Sequence, residues 1–283
     1  MNGVVSVRPF ELADLPAAAR FGEAARALDP LVEPFAQRLG VIATGTRAAL
    51  PAWRVAAGED GALHGICFVA ARDESTFDVY AAVHPALRRQ GLGRALFEGA
   101  LDLAATLRAR VREEAAAGRA FLIALGFSQR SVQLSLQWRG GDVPAAELPA
   151  LRVRPALPKD EPVLRRLSRE AWAGAPDTFE SRPDEIAQLF GQEDRALWLA
   201  ESQGRPLGYL AAVRLGRTLG IEEVAVLPDH RRMGIGKALL SRALAGAQGA
   251  VLSVAEPNHA ARSLYKSFGF TLAARRIVYQ RGL

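Results

Sequence analysis

Two stretches of this chain have the composition of an anion seat. Arg88-Arg89-Gln90-Gly91-Leu92-Gly93 and Arg231-Arg232-Met233-Gly234-Ile235-Gly236 each follow an apolar run ending in Val-x-Pro, at Val83-His84-Pro85 and Val226-Leu227-Pro228. Each also precedes a helical pattern. A strand feeding such a loop and then a helix leaves unpaired backbone N–H groups at the helix start, where the helix dipole favours negative charge. That arrangement suits a pyrophosphate, because glycine lets a bulky phosphate approach the main chain and arginine adds charge. Two other nucleotide loops are excluded. Gly236-Lys237-Ala238 lacks the hydroxyl residue that follows lysine in a Walker A loop, and Arg231 stands where that loop's first glycine belongs. A dinucleotide fingerprint needs a third glycine where Leu96 and Leu239 stand.

The loops recur because the chain does. Arg88 and Arg231 are 143 positions apart, and the same shift pairs Gly65 with Gly208, Ala82 with Ala225, and Gly126-Phe127 with Gly269-Phe270. A register held over so many landmarks indicates duplication of a whole domain. Each copy predicts the same elements. Val4–Arg8 alternates like a first strand before Pro9 and an amphipathic stretch from Asp14 to Leu28; Leu151–Arg154, Pro155 and Glu161–Trp172 repeat the plan with the Arg-Pro pairs 146 apart. A hairpin follows, Trp53–Ala57 with Gly65–Ala71 and Ala196–Ala200 with Leu207–Val213, joined by Gly-containing turns. A fourth strand enters the glycine loop and its helix. A fifth strand (Leu107–Arg112; Ala250–Ala255), another helix and a last strand (Ser131–Trp138; Arg275–Gln280) complete the set, with Gly140 to Pro149 as linker. The expectation is two α/β domains around mixed sheets, residues 1–142 and 147–283.

The 283 residues leave room for two domains of ordinary size. Charged residues are 23% and hydrophobic residues 49%, values of a soluble globular protein, and no apolar run approaches the ~20 residues that span a bilayer. Cys67 is the only cysteine, so no intrachain disulfide forms; with no signal peptide visible at the start, the cytoplasm is the expected location. The net charge of +6 and pI near 10.1 reflect scattered arginine, with lysine only at 159, 237 and 266. No basic run interleaves with aromatics, so neither nucleic acid nor membrane is an expected partner.

The second copy resembles the GCN5-related N-acetyltransferases. The resemblance lies in the strand Ile221-Glu222-Glu223-Val224-Ala225-Val226-Leu227-Pro228, in Arg231 to Gly236, and in the run Asn258-His259-Ala260-Ala261-Arg262-Ser263-Leu264-Tyr265-Lys266-Ser267-Phe268-Gly269-Phe270. The family pattern is Gln/Arg-x-x-Gly-x-Gly/Ala, then Asn, Tyr and Gly-Phe downstream. Two such domains in one chain resemble the tandem members of the family. The resemblance implies acetyl-CoA as co-substrate, its pyrophosphate on the amides of Met233, Gly234, Ile235, Gly236 and Lys237 beside Arg231 and Arg232. The pantetheine arm would pair with the backbone of Val224, Ala225 and Val226, and Asn258 would bond the arm. Tyr265 would be the general acid for the leaving thiolate, a phenol and a thiol having reference pKa values of about 10 and 8.5. A strand carboxylate would take the proton of the acceptor ammonium. Glu222 is the first choice and Glu223 the second, on the expectation that adjacent strand residues face opposite sides.

The first copy departs from the pattern where chemistry would occur. At the shift of 143, Leu122 replaces Tyr265, Ala115 replaces Asn258, and Val79 and Tyr80 replace Glu222 and Glu223. Val83 and the loop Arg88, Arg89, Gln90, Gly91, Leu92, Gly93, Arg94 remain. The first domain is therefore expected to hold a CoA-like ligand, or merely to pack, and the second to carry a direct transfer to a primary amine of a small molecule, with no metal. The alternatives are a non-catalytic CoA-binding sensor or assembly protein, and acetylation of protein N-termini. Acceptor contacts would come from Trp172 to Phe190, whose Asp177, Glu180, Asp184 and Glu185 suit a cation. The oligomeric state is open; two fused copies can satisfy within a monomer a pairing that single-domain relatives make between chains.

Overall fold

A computed structural model describes residues 5–32, 39, 52–72, 75–103, 105–146, 148–173, 190 and 194–282. The chain divides into two compact units, Met1–Val132 with Arg275–Leu283, and Gln133–Ala274.

Unit 1 runs β1 (Ser6–Pro9), α1 (Leu15–Leu28), β2 (Arg54–Ala57), β3 (Leu63–Ala71), β4 (Thr76–Val83), α2 (Leu92–Leu101), β5 (Thr106–Arg112) and α3 (Ala116–Ala124). The next strand, β6 (Ser128–Trp138), begins in this unit and continues past Val132 into the other. Unit 2 repeats the plan with β7 (Leu151–Pro155), α4 (Glu161–Trp172), β8 (Arg195–Ser202), β9 (Arg205–Leu215), β10 (Thr218–Val226), α5 (Ile235–Leu244), β11 (Gly249–Ala255) and α6 (His259–Ser267). The last strand, β12 (Thr271–Arg281), passes back at Arg275. The repeat-by-repeat element order expected from the sequence is present, with β6 beginning three residues before Ser131 and β12 four before Arg275.

The two last strands are exchanged. In unit 1 the sheet order is β1-β2-β3-β4-β5-β12, where β12 pairs antiparallel with β5 from Arg276↔Arg112 to Arg281↔Leu107. In unit 2 the order is β7-β8-β9-β10-β11-β6, where β6 pairs antiparallel with β11 from Ala250↔Trp138 to Ala255↔Gln133. Among the pairings described within each unit, β4–β5 and β10–β11 are the parallel ladders. Both strands are eleven residues long, enough for one end to serve each unit. Ile277 and Tyr279 of β12 are buried in the unit 1 core with Phe21, Trp53, Ile66, Phe68 and Leu107. Cys67 is fully buried there, the small hydrophobe its strand position suggests, and Trp53 and Trp198 are core residues.

The Arg-Pro pairs that open each repeat have a mechanical role. Arg154 forks onto both oxygens of Asp160 at 2.7 and 3.0 Å, and Asp160 also accepts the Leu157 N–H at 2.8 Å. Arg8, Asp14 and the Glu11 N–H form the same lock in unit 1. Each lock fixes the turn from first strand to first helix, and each carboxyl is held below its ordinary range chiefly by its arginine. Helix α4 then lays Leu164, Leu167 and Ala171 on Leu199, Tyr209, Ala211 and Ala225 of the sheet. Helix α5 packs on the same strands, and by the two-residue strand period it takes the opposite face, toward which Ala196, Trp198 and Ala200 point.

Two outcomes follow from these contacts. Asp160→Asn is expected to lower unfolding free energy by about 1.5–3 kcal/mol at neutral pH, the range of a hydrogen bond to a charged group. Because the folded carboxyl titrates below its unfolded value, the loss relative to wild type should be complete above about pH 4 and shrink as pH falls through the folded value; denaturant titrations across pH measure it. A chain ending at Ala274 removes the outer partner of β5, so amide exchange across Leu107–Arg112 should accelerate by on the order of tenfold or more. Unchanged protection of β5 in exchange mass spectrometry would refute that dependence.

Candidate active site

The ladder between β10 and β11 runs from Thr218↔Gly249 to Ile221↔Leu252 and stops. Beyond it, β10 stays paired with β9 as far as Val226↔Gly208, and β11 stays paired with β6 as far as Ala255↔Gln133. The two strands therefore part, and the β10 backbone over Glu223–Val226 faces the gap without a ladder to β11. At the point of parting the β9–β10 register shifts: Ile221 opposes Ala212, Glu223 opposes Ala211, and Glu222 is an extra residue between them.

This bulge overrides strict alternation of side chains. Glu222 is exposed and pairs with Arg195, which shares a strand face with Leu197 and Leu199 beneath α4. Glu223 is buried, 8% exposed, and accepts a hydrogen bond from the Tyr209 hydroxyl on that same side. Both carboxylates thus face α4, where the sequence reading expected only one to point inward. Burial and the Glu223 charge push the Tyr209 phenol far up, so its proton stays on and is donated; Ser168 on α4 lies beside the same hydroxyl and partly offsets the shift. The Trp172 indole N–H lies near it, short of hydrogen-bond geometry to any partner.

Below the cleft sits the glycine loop. Gly234 caps α5 with φ +83°, and Arg232 two residues earlier is also left-handed at φ +64°. Successive turns of this kind make a concavity of backbone N–H groups, and no capping side chain competes for them. Arg232 and Met233 are exposed, Gly234, Gly236 and Lys237 half-buried, and Ile235 is anchored in the core. Arg231 does something else: it donates to the Val226 carbonyl at 3.3 Å and to the Ala171 carbonyl at 2.6 Å, tying the loop to the end of β10 and of α4. A Cβ on Gly236 would lie 3.3 Å from Leu264 and 4.0 Å from Val226, so helix α6, the loop and β10 meet there.

Helix α6 carries the remaining pair. Asn258 caps it, its Oδ1 accepting the Ala261 N–H at 3.1 Å, and the exposed residue keeps its amide N–H groups as donors. Tyr265 is 7% exposed with its ring 5.7 Å from Phe270, and burial pushes its phenol up to about 12. The acidic residues Asp177, Glu180, Asp184 and Glu185 expected to line an acceptor pocket lie outside the described residues.

Residues 163–270 match the acetyltransferase (GNAT) family. That segment, from α4 to the start of β12, is similar to GNAT acetyltransferases. The mycothiol acetyltransferase of Thermomonospora curvata is 29% identical over 238 residues, 78% of this chain and 80% of that one. That of Tsukamurella paurometabola is 29% identical over 280 residues, 91% of each chain. Among solved structures, a tandem GNAT protein from the clavulanic acid biosynthesis pathway matches with a TM-score of 0.72 and 20% identity, covering 98% of both chains. Two GNAT folds in tandem are thus common to both.

The first GNAT repeat keeps the frame and loses the polar groups. The β4–β5 ladder also stops early, at Val79↔Ala109, while β4 stays on β3 to Val83↔Gly65. Arg89 and Gly91 repeat the left-handed turn at φ +65° and +83°, and Arg88 is a strut again, bonded to the Val83 carbonyl at 3.1 Å and paired with Asp29 at 2.7 Å. Gln90 and Arg94 are exposed; Leu92 and Gly93 are half-buried, with a Gly93 Cβ position 3.2 Å from Phe121. The β3–β4 register, however, runs without a shift from Ala71↔Phe77 to Gly65↔Val83. Tyr80 is therefore the structural counterpart of Glu223, Val79 that of Ile221, and Glu222 has none. Tyr80 stacks on Phe68 at 4.8 Å, and Phe68 packs on Trp53. Leu122 is buried, and Ala115 offers α3 no side-chain cap.

Sequence reasoning did not single out Tyr209, Ser168 or Arg195. Their signal was comparative: by the shifts of 143 and 146 they stand where the first repeat has Ile66, Gly22 and Ala52. The two glycines of the loop differ in how they tolerate a side chain. Gly234→Ala forces a Cβ into a left-handed residue, costing about 1–2 kcal/mol, and brings it within 3.3 Å of Leu148. Gly236→Ala asks only that Leu264 give by a few tenths of an ångström. Urea denaturation should show Gly234→Ala as clearly the more destabilised; equal losses would mean the loop relaxes out of its left-handed turn.

Proposed function

We propose that unit 2 moves the acetyl group of acetyl-CoA to the primary amine of a small molecule, and that Glu223, ahead of Glu222, is the base. The observation that carries this is the bulge at Glu222 beside the parting of β10 and β11, which sets a buried carboxylate next to an unpaired strand edge above a glycine loop. Glu222 is exposed and engaged by Arg195, whereas Glu223 is buried. The relatives named mycothiol acetyltransferase, matched over 80% and 91% of their own length, favour a small acceptor.

The residues fit the donor by chemistry. Amides from Met233 to Lys237, with Arg232 alongside, suit the pyrophosphate. The edge of Val224–Val226 suits an arm with amides of its own, and the Asn258 amide N–H groups can donate to it. Glu223 takes one proton from the acceptor ammonium, directly or through a water. The freed amine attacks the thioester carbonyl, and collapse of the tetrahedral species forms the amide and breaks the carbon–sulfur bond. Tyr265 donates to the departing sulfur and recovers a proton from the attacking nitrogen. With the phenol near 12, the gap to a thiol widens from roughly 1.5 to about 3.5 pKa units. A hydrogen bond to the sulfur, with transfer completed as charge builds, therefore describes its part better than an early free proton. Arg231 and Arg88 act as struts in this reading, and unit 1 serves as scaffold or second CoA site.

Thiol release from acetyl-CoA with a panel of primary amines, including mycothiol-type precursors, tests the assignment. Glu223→Gln is expected to lower kcat by about 10²-fold or more, the usual worth of a positioned base, with calorimetric affinity for acetyl-CoA retained. Tyr265→Phe should lower kcat without moving the pH profile across the neutral range, because the phenol stays protonated there. Undiminished turnover in Glu223→Gln would sink the base; no acetyl-CoA binding to the wild type would sink the donor.

A further inference from the structure

We infer that Tyr209 is a positioning residue for Glu223, reinforced by Ser168, and that this line of hydrogen bonds fixes the carboxylate's orientation and favours its charged form. The inference rests on the reading of Glu223 as base. Tyr209 is fully buried on β9, its hydroxyl donates to Glu223 Oε2, and Ser168, 3% exposed on α4, lies beside the same hydroxyl. Three polar residues on three elements therefore converge inside an otherwise apolar cluster of Leu164, Leu167, Leu199 and Ala225.

The plain alternative is a tyrosine kept for packing. The other repeat weighs against it, because the same fold positions there hold Gly22, Ile66 and Tyr80, and Ile66 is fully buried. An apolar residue thus satisfies the fold at this site. Placing a phenol, a hydroxyl and a carboxylate there instead desolvates all three, and that cost is offset only if they bond one another. One end of the line is a carboxylate at the cleft; the other is anchored in helix α4. A phenol whose own proton is held by burial is a donor that does not titrate in the working range, so it biases Glu223 in one direction only. Among the described residues, the other charged groups bonded on this face include Glu222 with its partner Arg195, and Arg231, which bonds the end of α4 from the glycine loop; none of them is changed by substitutions at Tyr209 or Ser168.

Glutamate labelled with ¹³C at the side-chain carboxyl lets the Glu223 resonance be recognised in the full-length protein by its loss in Glu223→Gln. Its titration midpoint is then read without any acceptor. Tyr209→Phe removes a donor to the charged form, so the midpoint should rise by about 1–2 pH units, the worth of a hydrogen bond to an ionised group. Ser168→Ala should raise it by a smaller amount, and the acid limb of kcat/KM should move up with it. A midpoint that is unchanged or lower in both variants overturns the proposal. Should Tyr209→Phe not fold, Ser168→Ala decides alone. The base reading fails separately, by full turnover in Glu223→Gln, and a raised midpoint would then stand without it.

Discussion

One extra residue in β10 underlies the difference between the two halves of this chain. Both repeats let their central parallel ladder end early, so an open strand edge is a property of the fold. Only in unit 2 does a bulge coincide with the opening. A bulge leaves one residue unpaired and re-aims its neighbours. Here it brings Glu222 and Glu223 to the same side, under α4, and gives them unlike surroundings. Arg195 and solvent hold one; a phenol in a dry cluster holds the other. Two adjacent glutamates thereby become chemically distinct.

The same position in unit 1 shows what the fold does when no carboxylate must be kept there. Tyr80 stacks face to face on Phe68, which leans on Trp53 and so on Phe10. Such a run of rings contributes area burial and, for each pair, about 0.5–1.5 kcal/mol more. A buried carboxylate instead carries a desolvation penalty that its hydrogen bonds have to offset. The stability argument alone favours the aromatic solution. Retention of the polar one in a single repeat is best explained by chemistry, and the proposed acyl transfer is located in that repeat for this reason.

How far the sequence made this legible depends on the kind of signal. Duplication, strand order and the two glycine loops were readable because they rest on glycine, proline and periodic apolar residues, whose local geometry needs no partner. The left-handed turn at Gly91 and Gly234 follows from residue type. The identical turn at Arg89 and Arg232 does not, since nothing in an arginine announces a positive φ. The loop arginines carried charge that suggested a phosphate, yet each is spent on a strand carbonyl and a second partner, the Asp29 carboxylate for Arg88 and the Ala171 carbonyl for Arg231, a use visible only in three dimensions. The bulge was invisible for a related reason: an added residue in β10 is matched by a longer β3–β4 turn in the other repeat, so the shift of 143 aligned Val79 with Glu222 and concealed the insertion.

The exchange of last strands was equally hidden, because β6 and β12 hold the same place in their repeats and pattern alone does not assign either to one sheet. Its consequence concerns what the duplication can still vary. Unit 1 needs Arg275–Arg281 beside β5, and unit 2 needs Gln133–Trp138 beside β11, so each sheet is completed by sequence from the other repeat. Loss of the last strand of either repeat would leave a sheet built by the other repeat without its sixth strand. A first repeat that has lost its polar groups is therefore still required to fold. Its aromatic filling is the expected outcome of that requirement: released from holding a carboxylate at the cleft, the site has moved toward packing, while the frame that carries β6 into the second sheet has been kept.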